Sequence, residues 1–107
     1  MNPLALLHCK PLEGEPPMGD EEIVQRLDAA PGWTLTGGAI EKLYNFADYH
    51  RTMAFVNALA WVAHAEEHHP ELLVAYSRCT VRFNTHSVGG ISINDFICAA
   101  KVDALLP

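Results

Sequence analysis

The chain has 107 residues, half of them hydrophobic and 19 % charged, the make-up of one globular domain with a modest core. Seven lysines and arginines against thirteen aspartates and glutamates leave a net charge of −6, and the cations Lys10, Lys42, Arg51, Arg82 and Lys101 are scattered. That excludes a nucleic-acid surface, which needs a cationic patch, and no apolar run approaches the roughly 20 residues that cross a bilayer, so no membrane partner is expected.

The opening residues, Met1-Asn2-Pro3-Leu4-Ala5-Leu6-Leu7-His8, lack a cationic start and are too short for a secretory leader. Three cysteines, Cys9, Cys79 and Cys98, are odd in number and widely spaced, with no Cys-x-x-Cys. A disulfide framework is not expected, and a reducing, cytoplasmic location is. Pro11, Gly14, Pro16, Pro17 and Gly19 make residues 1–19 an irregular arm ahead of a domain over 20–107. A helix begins near Asp20, where three carboxylates suit its N-terminus. Ile23, Val24 and Leu27 give it an apolar stripe, and Pro31-Gly32 ends it.

Two strands follow, Trp33-Thr34-Leu35 and Ala39 to Phe46, around the turn Thr36-Gly37-Gly38. A long helix spans about Asp48 to Glu66, with Met53, Val56, Leu59, Ala60 and Ala63 at helical spacing. Pro70 bars its continuation. Leu72 to Tyr76 and Cys79 to Asn84 read as a second hairpin, with Cys79, Val81 and Phe83 on one face. The last helix starts at Ser92, with Asp95 completing a capping box, and its apolar face is Phe96, Ile97, Ala100 and Leu105 or Leu106. The economical arrangement is α+β: a four-stranded antiparallel sheet with three helices packed on one face, in the order α-β-β-α-β-β-α.

The chemistry-bearing residues sit at the ends of these elements. His68-His69-Pro70 follows the long helix and precedes the third strand, and Thr85-His86 ends the fourth. The open end of a hairpin sets the start of one strand beside the end of the next, so His68, His69 and His86 are expected to become neighbours. Asn84, Thr85 and Ser87 add hydrogen-bonding groups, and Gly89-Gly90 permits a tight turn. Imidazole exchanges protons near neutral pH, so acid/base catalysis on a small polar substrate is one reading. A divalent-metal site that adds His64 is a second, weakened by the lack of His-Glu-x-x-His or zinc-spaced cysteines. Surface and capping histidines are the third, and His8 and His50 are read that way. Cys79 and Cys98 fall at core positions, where thiols are inert. No Gly-x-Ser-x-Gly, phosphate loop or dinucleotide fingerprint is present.

Glu67-His68-His69-Pro70-Glu71, Tyr76 six residues after Pro70, Thr85-His86 and Gly90-Ile91-Ser92-x-x-Asp95 together resemble the pterin-4a-carbinolamine dehydratase family. The resemblance runs from about Asp20 to Asp103, including Gly32-Trp33 and Phe46-x-Asp48. It implies the fold above, assembled into homodimers or homotetramers. It implies a hydro-lyase that converts 4a-hydroxytetrahydropterin to quinonoid dihydropterin, recycling the cofactor of aromatic amino-acid hydroxylases, with no metal or organic cofactor. The family's catalytic histidines fall on His68, His69 and His86, and its supporting carboxylate falls on Asp95. Its substrate contacts fall on Glu67, His68, His69, Pro70, Asn84, Thr85, His86 and Ser87. Which histidine is acid and which base stays open, as does whether Asp95 orients a histidine or only caps its helix. Two departures stand out. His64 replaces a glutamate often found four residues before the first histidine, leaving Glu66 or Glu67 to tune His68, and aliphatic Leu72 replaces an aromatic residue. The family also includes dimerisation and assembly partners, so a non-catalytic binding protein is the alternative, working through its helix or sheet-edge surface.

Overall fold

Asp20, Glu21 and Glu22 open the first helix, α1 (Asp20–Asp28), facing the positive end of its dipole. Ile23 is buried and Leu27 partly so, but Val24 stands in solvent. One residue on is a rotation of about 100°, which carries Val24 off the face that Ile23 and Leu27 share. The computed structural model describes residues 2–106; Met1 and Pro107, the outer ends of the expected arm and domain, lie outside the described residues.

Strands β1 (Thr34–Thr36) and β2 (Ala39–Asn45) form an antiparallel hairpin. Its two-residue turn places Gly37 at φ 57° and Gly38 at φ 79°, the left-handed pair that matches strand twist. The second hairpin joins β3 (Glu71–Val74) to β4 (Arg78–Phe83), and β4 pairs with β2, so the sheet order is β1-β2-β4-β3 with every pairing antiparallel. Cys79, Val81 and Phe83 are fully buried on one face beside Ile40 and Tyr44 of β2. On the other face Leu43 and Leu73 are exposed, and Arg82 bridges Glu41 and Glu71 across three strands. Leu43 is outward because period-two alternation from Ile40 selects Lys42 and Tyr44 for the inner face. There the Lys42 ammonium reaches Asp103 at 2.8 Å.

The long helix α2 (Tyr49–Glu66) is capped by Asp48, whose carboxylate accepts the Arg51 N–H at 2.8 Å. Its buried stripe is Thr52, Phe55, Leu59 and Ala63, turned from the expected one, and Ala60 is exposed. The sequence conceals this because Thr52 looks polar. Its hydroxyl is satisfied inside the core by the carbonyls of Asp48 and Tyr76, both at 2.9 Å. Pro70 is only the outer limit of this helix. The stop comes at Glu67, a non-glycine residue at φ 52°, after which the His68 N–H returns to the Ala63 carbonyl at 3.1 Å. The final helix α3 (Ile93–Asp103) is buried along most of its length and carries Phe96, Ile97, Cys98 and Val102 into the core.

Residues 2–19 hold a short 3-10 turn, Pro3–Leu6, then irregular chain. They run along α3 from its last turn to its first. Lys101 Nζ donates to the Ala5 carbonyl at 2.9 Å, Asn94 Nδ2 to the Lys10 carbonyl at 2.8 Å, and the Met18 N–H to the Ile91 carbonyl at 2.7 Å.

Candidate active site

Three segments converge because of the hairpin register. Glu71 pairs with Arg82 at the open end of β3–β4, which sets the His68-His69 approach to β3 beside the Asn84-Thr85 exit from β4. The first turn of α3 enters below them. Thr85 closes a small loop by exchanging backbone hydrogen bonds with Gly90, and Ser92 then caps α3.

Asp95 lies at the centre of this meeting and is completely buried. Its Oδ2 accepts from the Ser92 N–H at 2.9 Å, completing the capping box, and from the Thr85 hydroxyl at 2.8 Å. Its Oδ1 lies 2.6 Å from His68 Nε2. The carboxylate therefore caps the helix and contacts the His68 ring at once. Thr85 Oγ1 and Ser92 Oγ, 2.6 Å apart, close the network. Among the described residues no buried side-chain nitrogen or oxygen is left without a partner.

The His68 ring is fixed a second way. It stacks on Phe83 with centroids 5.8 Å apart and planes 7° from parallel, and its side chain is 12 % exposed. An imidazole clamped by a buried carboxylate on one nitrogen and an aromatic face has one orientation and one atom, Nδ1, left for a substrate. It borders a cavity of about 260 Å³ lined also by Glu67, Thr85, Ser87 and Asn94.

The other expected residues are placed differently. His69, Pro70 and Asn84 line a second hollow of about 270 Å³ with Ala39, Glu71 and Arg82, and His68 does not border it. His86 is exposed at the start of a 3-10 turn, His86–Val88, between the cavity residues Thr85 and Ser87, and lines neither hollow. Among the described residues no cluster of three or more His, Cys, Asp or Glu side chains is placed to hold a metal ion. None of the described helices is long and apolar enough to cross a membrane.

Of the carboxylates the sequence offers to His68, namely Glu66, Glu67 and Asp95, it is Asp95 that contacts the ring. Glu66 turns instead to the arm, accepting the Cys9 N–H at 2.7 Å and pairing with His8 Nδ1 at 2.9 Å, with Lys101 Nζ 3.7 Å away. Burial alone would raise the Glu66 pKa, but the Cys9 N–H, His8 and Lys101 together hold it below its ordinary value. The arm itself, Cys9 to Glu13, lines the His68 cavity, and no motif marks it. The Cys98 thiol pKa is pushed far up by the hydrogen bond with Cys9 and by burial, and that of Cys79 is pushed up by burial alone, which disfavours the thiolate at both.

A family model described as pterin 4 alpha carbinolamine dehydratase matches residues 16–105. This chain belongs to the pterin-4-alpha-carbinolamine dehydratase family. It is 52 % identical over 103 residues to a Nitrosospira multiformis protein named "Putative pterin-4-alpha-carbinolamine dehydratase", covering 95 % of this chain and 91 % of that one. A Xanthomonas campestris pv. campestris protein of the same name is 54 % identical over 106 residues, covering 96 % and 90 %. The fold is similar to a solved Brucella melitensis structure described as a transcriptional coactivator/pterin dehydratase, with TM-score 0.81 and 30 % identity over 85 % of this chain and 99 % of that one. A dehydratase-like RuBisCO assembly factor of the alpha-carboxysome shares the fold at TM-score 0.57 and 24 % identity, over 68 % of this chain and 84 % of that one. All of the candidate site residues, 67–70, 84–87 and 95, lie inside the span that matches the dehydratase family.

Proposed function

We propose that this chain dehydrates a 4a-hydroxytetrahydropterin to the quinonoid dihydropterin and water. The observation that carries the reading is the His68–Asp95 pair, a buried carboxylate 2.6 Å from an imidazole that borders a cavity in a dehydratase-family chain. The reaction breaks the C4a–O bond and removes a proton from N5. The N5–H electron pair becomes the N5=C4a bond, and the departing hydroxide takes up a proton to leave as water. A base at N5 and an acid at the hydroxyl therefore act together.

His68 supplies the base. With Asp95 accepting from Nε2–H, the neutral ring presents Nδ1 as an acceptor, and the carboxylate stabilises the imidazolium that forms. Asp95 is thus a positioning residue. His86, at the rim between Thr85 and Ser87, supplies the acid, and an exposed imidazole recovers its proton from solvent. Glu67, Thr85 and Ser87 offer polar groups to the edge of the ring in the His68 cavity, and His69, Pro70 and Asn84 are the residues that a substituent reaching beyond that cavity would meet. No metal or organic cofactor is called for. The product then returns, through a reductase, to the aromatic amino-acid hydroxylases of the same cell.

The test is turnover of chemically generated carbinolamine. His68→Ala is expected to lower kcat on the order of 10²–10⁴-fold, the contribution of one positioned acid or base, and His86→Ala to lower it as well. Equal rates for the wild type and both variants would remove the enzyme reading and leave a binding role like those of the coactivator and assembly-factor relatives. That alternative draws on exposed Trp61, 70 % accessible on α2, and on Leu43 and Leu73 of the outer sheet face. The same surfaces suit self-association into a homodimer or homotetramer, which light scattering measures.

A further inference from the structure

The cavity beside His68 has a wall that the dehydratase mechanism does not use. Cys9 to Glu13 line it, and these residues precede position 16, where the family match begins. The segment is built in place. Glu66 holds the Cys9 N–H, and the Asn94 side chain makes a paired contact with Lys10, its Oδ1 accepting from the Lys10 N–H at 3.3 Å and its Nδ2 donating to the Lys10 carbonyl at 2.8 Å. The chain then turns: the Glu15 N–H closes on the Leu12 carbonyl at 2.9 Å, with Gly14 at φ 84° in the position where a left-handed residue is required. That turn leaves Leu12 half-buried against the cavity.

The chemistry of the lining is lopsided. Glu66, Glu67, His68, Thr85, Ser87 and Asn94 are polar, and apart from Cys9 the apolar side chains are Pro11 and Leu12. A flat heteroaromatic substrate needs polar groups at its edge and apolar surface against its face. Phe83 is already spent on stacking with His68. We propose that Pro11 and Leu12 of the N-terminal arm form the apolar wall against which the substrate ring lies, with Glu66 and Asn94 as the positioning residues that hold that wall. The identity of the ring as a pterin rests on the dehydratase reading. The wall governs binding and leaves the proton transfers alone.

Leu12→Ser and Glu66→Gln test this in the full chain by two readouts: steady-state kinetics on chemically generated carbinolamine, and the Kd of an unreactive dihydropterin followed by fluorescence. Leu12→Ser is expected to raise KM and Kd together by roughly tenfold, the worth of one apolar side-chain contact, with kcat within about twofold. Leu12→Met restores both, since its apolar volume is similar. Glu66→Gln moves KM and Kd in the same direction by about threefold, because a charge-assisted bond to the arm becomes an ordinary one. KM and Kd at wild-type values in Leu12→Ser, or a fall in kcat at constant KM, would overturn the proposal. So would a wild type that binds no pterin. A wild type that binds the dihydropterin through Leu12 but turns over no carbinolamine would instead sink the dehydratase reading alone.

Discussion

Helix α3 carries a carboxylate near each end, and the two are used for opposite purposes. Asp95 sits in the first turn, where the helix dipole favours a negative charge, and it spends one oxygen on the Ser92 N–H and Thr85 and the other on His68. Asp103 sits in the last turn, where the dipole opposes it. It is held by the Trp33 Nε1–H at 3.0 Å, the Lys42 ammonium at 2.8 Å and the Tyr44 hydroxyl. Tyr44 holds its proton more firmly than usual, because burial and its bond to Asp103 push its pKa far up. The Asp95 cluster instead contains an imidazole, the side-chain type suited to acid/base chemistry. The same side chain ties a helix end to the sheet at one end of α3 and holds an imidazole beside a cavity at the other.

The largest expected effect breaks this contrast or establishes it. Asp95→Asn removes the acceptor that orients His68 and is expected to lower kcat about 10–100-fold, the usual cost of losing such a supporting partner. Asp103→Asn should lower unfolding stability by about 1 kcal/mol, the cost of loosening a partly buried network, with kcat per folded molecule unchanged. Denaturant titration beside steady-state kinetics separates the two, and an Asp103 variant as inactive as the Asp95 variant would erase the distinction.

A smaller effect sharpens the structural end. A folded-state pKa raised for Tyr44 means that the native chain retains a proton which the unfolded chain releases above about pH 10. Stability from this group is complete below that pH and lost as pH rises, by up to about 1.4 kcal/mol per pH unit. Tyr44→Phe should flatten that alkaline slope in urea titrations run between pH 9 and 11.

Glu67 carries a positive φ next to the site, a conformation that costs a non-glycine residue about 1–2 kcal/mol. Glu67→Gly relieves it, offset by the greater backbone freedom of glycine in the unfolded chain, so stability should hold or rise by up to about 1 kcal/mol while carbinolamine turnover falls. A Glu67→Gly protein that loses both would show that the left-handed residue serves the fold alone. The smallest effect lies midway along α3. The Cys98 thiol, 3.5 Å from that of Cys9, is buried and held protonated, so iodoacetamide should label half-buried Cys9 first, with mass spectrometry of timed digests giving the order.

Much of this was legible from the sequence because it depends on residues close together in it. Turn glycines at 37 and 38, the capping box of Ser92 and Asp95, and the alternation of Cys79, Val81 and Phe83 each leave a short-range pattern. The meeting of His68 with Thr85 was legible too, since a hairpin with short connections dictates which ends are adjacent. The buried face of α2 was misread because Thr52 is polar in composition, and one of the two carbonyls that satisfy it, that of Tyr76, comes from the distant turn between β3 and β4.

What the sequence determined by itself, then, was the set of elements, their order, the membership of the family and the segments that could carry chemistry, because backbone propensity and side-chain period act over a few residues. Tertiary structure alone decided that Asp95 grips His68, that His68 and His69 border different hollows, that Asp103 gathers Trp33, Lys42 and Tyr44, and that the arm from Cys9 to Glu13 walls the cavity. Those outcomes depend on where whole elements come to rest against one another, and packing of that kind leaves no periodic trace in the chain that undergoes it.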